Sequence, residues 1–209
     1  MITSRLVISN PMGERMKRTK AAWACIFAVG LAVVFLQPLG AERASSLAAV
    51  EANITKAFPD VAVMPTADLE TIEQSGQSVI LFDARSEEEF AVSRIKGARR
   101  VEPGMSVTQF QNEFGADLKG RKIVVYCAVG QRSSVLASRI KNVAKQAGAD
   151  GVYSLQGGIF RWHNERRPLV GPVGATDEVH PFSANAARLI ERQEGVAYVP
   201  GSSKSAKVD

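Results

Sequence analysis

The chain has 209 residues, room for one ordinary domain with appendages. A hydrophobic content of 45% and a charged content of 22% exclude a globally disordered protein. The net charge of +5 is concentrated near the start, where residues 1–41 hold five basic groups and one acidic group. The rest of the chain holds 21 basic and 20 acidic groups, which excludes a strongly basic domain, and we expect no nucleic-acid partner.

The first part of the chain has the pattern of a secretory signal peptide. Basic residues from Met16 onward precede an uncharged apolar run from Ala21 to Leu36, and small residues follow up to Ala41. The run is shorter than the roughly 20 residues that span a bilayer; an uncleaved membrane anchor is the alternative. We therefore expect export to the periplasm, or an anchor that faces it, with Met16 as a candidate translation start and residues 1–41 as the leader.

The chain has two cysteines, and removal of the leader would take Cys25 away and leave Cys127 as the only thiol. An unpaired Cys in an exported protein indicates a reactive thiol or an intermolecular disulfide. The alternative is an inert Cys that packs as a small hydrophobic residue.

After the leader, apolar strands alternate with amphipathic helices. Residues 42–60 are a polar, Ala-rich lead-in with helical character. From Val61 a short strand, "VAVM", precedes a helix that begins near Thr66 and ends at Gly76. The apolar run "SVILFDAR" predicts a strand, and Ser86 is the N-cap of a helix with three glutamates in its first turn.

The second half of the domain repeats this alternation. "KGARRVEPG" is a loop or short strand, "SVTQFQNEFG" a short helix, and "KIVVYC" a strongly apolar strand that ends at Cys127. Beyond a short loop, apolar residues follow one face of a helix that ends at Gly148: Leu136, Ile140, Val143, Ala144 and Ala147. "GVYSL" predicts another strand, and "GGIFRWHNERRPLV" a glycine-led helix that ends at Pro168.

This alternation predicts an α/β fold, with a mainly parallel central sheet flanked by helices. The functional site of such a sheet lies beyond the carboxyl ends of its strands, where Cys127 is expected. We assign residues 61–171 to the domain and residues 172–209 to a C-terminal extension. In the extension we expect one helix over "SANAARLIERQEG" and disorder over "PGSSKSAKVD".

Three separated motifs resemble the single-domain rhodanese family. "VILFDARSEEEFAVSRIKGARRV" is similar to its strand ending in Asp-x-Arg, "CAVGQRSS" to its Cys-x-x-Gly-x-Arg-Ser loop, and "SLQGGIFRWHNERRPLV" to its Leu-x-Gly-Gly segment. The resemblance covers residues 61–171 and implies a rhodanese-like three-layer domain with sulfurtransferase activity. It implies that Cys127 carries a sulfane sulfur as a persulfide, taken from a donor such as thiosulfate and passed to a thiol or cyanide. A protein thiol is a further candidate acceptor.

The loop after Cys127 suits an anion on physical grounds as well. Its successive backbone N–H groups can form an anion-binding concavity, for which Gly130 permits the tight curvature, and the next helix adds its positive end. Arg132 is the side chain expected to face the anion; an exposed residue in the first turn of the helix is the alternative. The candidate substrate-binding residues are Ala128, Val129, Gly130, Gln131, Arg132 and Ser133.

The length of this loop separates two chemistries. Phosphatase-like relatives resemble Cys-x5-Arg, a loop wide enough to circle a phosphate, whereas Cys127 and Arg132 form the shorter Cys-x4-Arg. The resemblance assigns the shorter loop to sulfur transfer. The runner-up interpretation is a non-catalytic rhodanese-type binding or sulfur-carrier module in the cell envelope.

Other polar residues are expected to have supporting roles. Asp83 and Arg85 match the family's Asp-x-Arg, and the two side chains can pair and brace the loop. Trp162 is expected in the core, and His163 is expected to be a surface or packing residue rather than a base. We expect no cofactor and no metal, since one Cys and two distant histidines offer no ligand cluster.

Overall fold

The computed structural model describes residues 46–204. The predicted leader and the last five residues of the chain lie outside the described residues, so export stays a prediction. Among the helices formed by residues 46–204, none has the length and the apolar character needed to cross a bilayer.

Five parallel strands form the central sheet, in the order β1-β5-β4-β2-β3. The strands are β1 (Ala62–Met64), β2 (Val79–Asp83), β3 (Arg99–Arg100), β4 (Lys122–Tyr126) and β5 (Gly151–Leu155). The helices are α1 (Leu47–Ala57), α2 (Thr66–Gln74), α3 (Glu87–Val92), α4 (Val107–Phe114), α5 (Gln131–Gln146) and α6 (Gly158–Asn164). A small antiparallel hairpin, β6 (Leu169–Gly171) and β7 (Gly174–Thr176), follows the sheet. The predicted α/β fold with a parallel sheet and flanking helices is confirmed.

Strand β4 lies at the centre of the sheet, between β2 and β5. It is buried on both faces, which explains why its sequence is continuously apolar instead of alternating. Strand β2 pairs with it in full register, from Val79 opposite Lys122 to Asp83 opposite Tyr126. The register therefore brings Asp83 and the residue that follows Tyr126, Cys127, to the same carboxyl edge of the sheet.

Each face of the sheet has its own hydrophobic core. Val124 and Tyr126 of β4 pack into a core formed with α2, α6 and the C-terminal extension. Ile123 and Val125 point to the opposite face, where α4 and α5 cover the sheet. Three phenylalanine rings pack against one another in this second core, one pair edge to face and two tilted, with centroids 4.7 to 5.3 Å apart: Phe82, Phe110 and Phe114.

The lead-in segment is a packed part of the molecule. Ser46 caps α1 by accepting a hydrogen bond from the backbone N–H of Ala49. The buried carboxylate of Glu51 accepts two hydrogen bonds from the guanidinium of Arg161, at 2.6 and 2.7 Å, and one from the amide of Gln156. This pairing fixes α1 beside the start of α6.

The C-terminal extension is more ordered than its sequence predicts, and the single helix expected over residues 183–195 is wrong. Two short 3-10 turns form instead, Ala186–Leu189 and Gln193–Gly195. The side chain of Asn164 binds the carbonyl of Leu189 and the N–H of Glu191, which occupies groups that a continuous helix would use. Between the two turns the backbone becomes extended at Ile190, whose side chain is buried in the core.

The disorder expected over residues 200–209 is wrong for residues 200–204. The carboxylate of Glu178 accepts hydrogen bonds from the backbone N–H groups of Gly201 at 2.7 Å and of Ser203 at 2.9 Å. Nearby, Val179 and Val196 form a parallel β-bridge. Residues 200–204 are thus ordered by long-range hydrogen bonds and not by a helix or strand of their own.

We predict that replacing Glu178 by Ala releases this segment, because the N–H groups of Gly201 and Ser203 lose their acceptor. A hydrogen bond to a charged group contributes about 1.5–3 kcal/mol, so amide hydrogen exchange at residues 201–203 should accelerate by about tenfold or more. The exposed Glu113, replaced by Ala, is the matched control. Equal exchange in the two variants would contradict the assignment.

The same anchor should depend on pH. Burial raises the pKa of Glu178, but the N–H groups of Gly201 and Ser203 outweigh it, and the net pKa is lowered. Because the pKa of Glu178 is lower in the folded state than its ordinary value of 4.5, the ionised carboxylate stabilises the folded state above pH 4.5. This stabilisation is lost as the pH falls through the lower pKa of the folded state. The protection of these amides, meaning the slowing of their exchange relative to the intrinsic rate at each pH, should therefore fall in the wild-type protein below a pH of about 4.5.

Candidate active site

The sulfur of Cys127 lies at the bottom of a loop between β4 and α5. The residue is 1% exposed. Its Sγ accepts a hydrogen bond from the backbone N–H of Gly130 at 3.3 Å, and the hydroxyl of Ser133 lies 3.7 Å from it. Gly130 has a φ of 110°, in the left-handed region that favours glycine, and it is the N-cap of α5. The loop therefore turns the N–H of Gly130 inward, toward the sulfur.

Buried serine hydroxyls fix the shape of this loop from below. Ser133 and Ser134 both donate to the carbonyl of Gly130, at 2.9 and 2.8 Å, and both lie within hydrogen-bonding distance of the hydroxyl of Ser154 on β5. A hydroxyl has one proton, so Ser133 donates either to the Gly130 carbonyl, to Ser154 or to the Cys127 sulfur at a given time. Ser133 can thus respond to a change of charge on the sulfur.

The start of α6 holds the other side of the loop. The carbonyl oxygens of Cys127 and Ala128 accept hydrogen bonds from the N–H groups of Ile159 and Phe160, at 2.8 and 3.0 Å. This close approach requires Gly158, which has a φ of 56°. A Cβ atom at this position would lie 2.3 Å from the carbonyl oxygen of Cys127. The glycine is therefore needed for packing and backbone geometry, and the turn aligns the nucleophile candidate.

Arg132 lies beside the sulfur and is held by Glu89 from α3. The guanidinium donates from Nη1 and Nη2 to the two carboxylate oxygens of Glu89, at 2.7 and 2.8 Å. Burial lowers the pKa of Arg132, but hydrogen bonds to Glu89 and the adjacent Cys127 outweigh it, so the net pKa is raised. Burial raises the pKa of Glu89, and the bonds from Arg132 and from the N–H of Ser86 bring it below its ordinary value. Both groups are therefore charged at neutral pH.

The loop forms one wall of a pocket of about 440 Å³. The sheet side contributes Cys127 and the loop, the segment between β3 and α4 contributes a second wall, and the C-terminal extension contributes the third through Phe182. The ring of Phe182 lies over the guanidinium of Arg132, 4.7 Å from it. The lining residues are Pro103, Gly104, Cys127, Ala128, Val129, Gln131, Arg132, Val135 and Phe182.

Residues 66–165 match the rhodanese-like domain family. This chain carries a rhodanese-like domain. A tRNA uridine(34) hydroxylase of Burkholderia ambifaria is 27% identical over 170 residues, which cover 69% of this chain and 58% of that protein. A tRNA uridine(34) hydroxylase of Rhodococcus erythropolis is 35% identical over 98 residues, which cover 44% of this chain and 32% of that protein. The chain thus spans only a little more than half of the first of these relatives.

Among solved structures, a thiosulfate sulfurtransferase from Pseudomonas aeruginosa is similar to this chain. The two are 17% identical, with a TM-score of 0.47, and the alignment covers 70% of this chain and 26% of that one.

The rhodanese-like domain brings together most of the residues predicted from the Cys127 loop. Ala128, Val129, Gln131 and Arg132 line the pocket, whereas Gly130 and Ser133 lie beneath the loop in contact with the sulfur. The first four residues therefore face the space where a molecule could bind, and the other two contact the Cys127 side chain.

Asp83 and Arg85 pair as expected, away from the pocket. The guanidinium binds both carboxylate oxygens of Asp83, at 2.6 to 3.1 Å, and the carbonyl of Ser93 at 2.6 Å. Both side chains are fully buried, and Arg85 lies over the ring of Tyr126, the residue before the nucleophile candidate. Burial raises the pKa of the Tyr126 hydroxyl, and Asp83 raises it further. The pair therefore supports the end of β4 and the segment that follows α3.

Trp162 and His163 have structural roles in the rhodanese-like domain. Trp162 is buried in the core, as predicted, and its indole N–H donates to the carbonyl of Pro168 at 2.9 Å. His163 is buried, with Nε2 3.0 Å from the carbonyl oxygen of Asp177, and it does not line the pocket. Within residues 46–204, no group of His, Cys, Asp or Glu side chains could hold a metal ion.

Several residues of this site were missed in the sequence: Pro103, Gly104, Val135 and Phe182 line the pocket, and Glu89 holds Arg132. Glu89 is a capping-box residue, three positions after Ser86, and this motif accounts for a Glu there without its long-range pairing to Arg132. Phe182 lies in the turn-rich extension, where nothing in the local pattern connects it to a loop more than fifty positions earlier. Only the fold brings Phe182 to the pocket and Glu89 to Arg132.

We predict that Glu89→Ala destabilises the domain more than Glu87→Ala does. Both changes remove a carboxylate from the first turn of α3, so they lose a similar interaction with the helix dipole. Only Glu89 is buried, caps α3 and binds Arg132, which should cost about 1–3 kcal/mol more. Urea unfolding of the two variants measures this difference, and equal midpoints would contradict the structural role of Glu89.

We predict that Asp83→Asn destabilises the domain by about 3–5 kcal/mol, because it leaves the buried guanidinium of Arg85 without its counter-charge. The double variant Asp83→Leu with Arg85→Met removes both charges and should recover part of this loss. Urea unfolding of the single and double variants gives the comparison. If the double variant loses as much stability as Asp83→Leu and Arg85→Met lose in total when each is made alone, the pair is not the source of the effect.

Proposed function

We propose that the protein is a sulfurtransferase that moves a sulfane sulfur from a donor such as thiosulfate to a thiol or cyanide through a persulfide on Cys127. The observation that carries this proposal is the position of Sγ in a cradle that donates hydrogen bonds to it, at the bottom of an open pocket. The Gly130 N–H binds the sulfur, and Arg132 lies beside it. A hydrogen-bond donor and a positive charge in these positions can stabilise the negative charge of a bound donor or of a persulfide.

In the first step, the thiolate of Cys127 attacks the outer sulfur of the donor. The new bond joins Sγ to that sulfur, and the bond between the outer sulfur and the rest of the donor breaks. With thiosulfate, sulfite leaves with the bonding electron pair, and the persulfide keeps one negative charge. In the second step, a thiolate or cyanide attacks the terminal sulfur, and Cys127 leaves as a thiolate. No external oxidant or reductant is needed, and ping-pong kinetics are expected.

The residues around the sulfur suit these two steps. The N–H of Gly130 donates to Sγ without any rearrangement, and Ser133 can donate a second bond when charge develops there. Arg132 supplies positive charge next to an anionic donor, while Glu89 fixes its orientation. We propose that Arg132 and the loop N–H groups bind the donor anion and that Asp83 and Arg85 act only on stability.

The length of the loop supports sulfur transfer over phosphate chemistry. Cys127 and Arg132 are separated by four residues, one fewer than in the phosphatase-like pattern. In this shorter loop the N–H of Gly130 donates to the Cys sulfur itself. We propose small sulfur donors and thiol, cyanide or protein-thiol acceptors as the partners, in the periplasm or at a membrane anchor that faces it.

Two alternatives have support of a different kind. The runner-up is a sulfur-carrier or binding module without turnover. Modification of tRNA is the other, since the relatives from Burkholderia ambifaria and Rhodococcus erythropolis are named tRNA uridine(34) hydroxylases. The near balance of 21 basic and 20 acidic groups after residue 41 gives little support to tRNA binding. Binding to tRNA that weakens steeply with salt would favour that alternative.

We predict that thiosulfate adds about 32 Da, one sulfur atom, to the intact protein and that cyanide removes it as thiocyanate. The Cys127→Ser variant should show no adduct and no thiocyanate, while its unfolding midpoint stays close to that of the wild type. The adduct and the thiocyanate are measured by intact mass and by colorimetric assay. Turnover in the Ser variant would overturn the role of Cys127, and a stable adduct without turnover would favour the carrier module.

A further inference from the structure

The pocket above Cys127 is larger and more apolar than an inorganic donor requires. Its volume of about 440 Å³ lies in the range of roughly 300–1,000 Å³ that is typical of sites for organic molecules. Charge is supplied at one end only, by Arg132. Beside the amide of Gln131, apolar side chains form most of the remaining walls: Pro103, Val129, Val135 and Phe182. Thiosulfate and cyanide would use the charged end and leave these walls in contact with water.

Phe182 is an unusual component of this wall. It is 55% exposed, although it is a large aromatic residue. Its φ of 62° lies in the left-handed region, which a bulky residue rarely adopts. The conformation is held by a hydrogen bond from the Phe182 N–H to Nδ1 of His180, at 3.0 Å. Strained, exposed positions of this kind occur at ligand-binding sites, where the surrounding structure maintains the geometry.

The position of the Phe182 ring is also fixed by its contact with Arg132. Arg132 is bound at Nη1 and Nη2 by Glu89, and its guanidinium lies under the ring of Phe182 at 4.7 Å. This cation–π contact places the aromatic ring at the mouth of the pocket, next to the charged end. Phe182 belongs to the C-terminal extension, beyond the residues 66–165 that match the rhodanese-like domain family.

We propose that the pocket takes an organic sulfur compound in which an anionic sulfur group is attached to an apolar, preferably aromatic, carbon body, and that Phe182 determines this preference. The inference rests on the proposed sulfur transfer. The anionic group lies against Arg132 and the loop, while the carbon body packs between Phe182 and the valine and proline side chains. Burial of an apolar group in this wall is the source of the discrimination.

An aryl thiosulfonate is a suitable probe because its reaction is balanced in the same way as that of thiosulfate. The Cys127 thiolate attacks the outer sulfur of the probe and forms the persulfide. The bond between that sulfur and the sulfonyl sulfur breaks, and the aryl sulfinate leaves with the electron pair. Benzenethiosulfonate and methanethiosulfonate carry the same reactive group and the same charge. They differ only in the phenyl or methyl group that the pocket would contact.

The experiment compares kcat/KM for the two probes, with cyanide as acceptor. In the wild-type protein, we expect benzenethiosulfonate to be preferred by about tenfold or more, the scale on which a hydrophobic pocket discriminates. In Phe182→Ala, we expect this ratio to fall to about a third of its value or less, mainly through KM for benzenethiosulfonate. Val173→Ala is the matched control, because Val173 is an exposed apolar residue of the same extension that does not line the pocket.

The outcomes separate the specificity from the chemistry. A ratio that is the same in Phe182→Ala as in the wild type, or that falls equally in Val173→Ala, would overturn the role of Phe182. A wild-type ratio near one would overturn the preference for an apolar body. These results leave the sulfur transfer itself in place, since both probes still load sulfur on Cys127.

A binding measurement gives a readout that does not depend on turnover. Benzenesulfinate, the leaving group of the probe, should bind the Cys127→Ser protein more tightly than methanesulfinate does, by calorimetry. Addition of Phe182→Ala to this variant should remove most of that difference. If neither probe loads sulfur on the wild type, the proposed function fails; selective benzenesulfinate binding that depends on Phe182 would then still support an aromatic ligand. Equal binding of the two sulfinates would overturn the inference.

Discussion

The site depends on two hydrogen bonds between backbone groups. The carbonyl oxygens of Cys127 and Ala128 would be left without partners after β4 ends, and the first N–H groups of α6 bind both of them. The same two bonds hold the strand end, the loop and a helix together. Their geometry leaves no room for a side chain at Gly158, where even a Cβ would meet the Cys127 carbonyl at 2.3 Å. With its carbonyls bound below, the loop can direct the N–H of Gly130 at the sulfur.

The elements on either side of the matched domain are integral to this arrangement. Helix α1 is held by the pair between Glu51 and Arg161, and its Ile54 lies within contact distance of a Cβ placed on Gly130. The C-terminal extension adds Val179 to the core and Phe182 to the pocket. The shape of the pocket is therefore a property of the whole described unit, although the nucleophile candidate and its cradle lie within the family match.

The sequence predicts those features that depend on neighbouring residues. The continuous apolar runs of β2 and β4 and the helical spacing around Leu136 indicate the sheet and α5 directly, and the contiguous loop from Cys127 indicates the cradle. The helix expected around Ile190 did not form, because Asn164 and the core impose another backbone there. The contribution of Phe182 has the same origin. It arises from contacts between segments that are distant in the sequence, and such contacts cannot be predicted from helical periodicity or capping motifs.

The depth of Cys127 has a consequence for its redox chemistry. A disulfide requires the two Cα atoms to approach within about 4.4–6.8 Å, so a second protein can form one only if its backbone comes that close. With 1% of Cys127 exposed at the bottom of the pocket, the rigid surface of another folded protein cannot reach it. A small thiol, or a cysteine on an extended segment, can enter. The fold thus shields its thiol sterically from random cross-linking to other folded proteins.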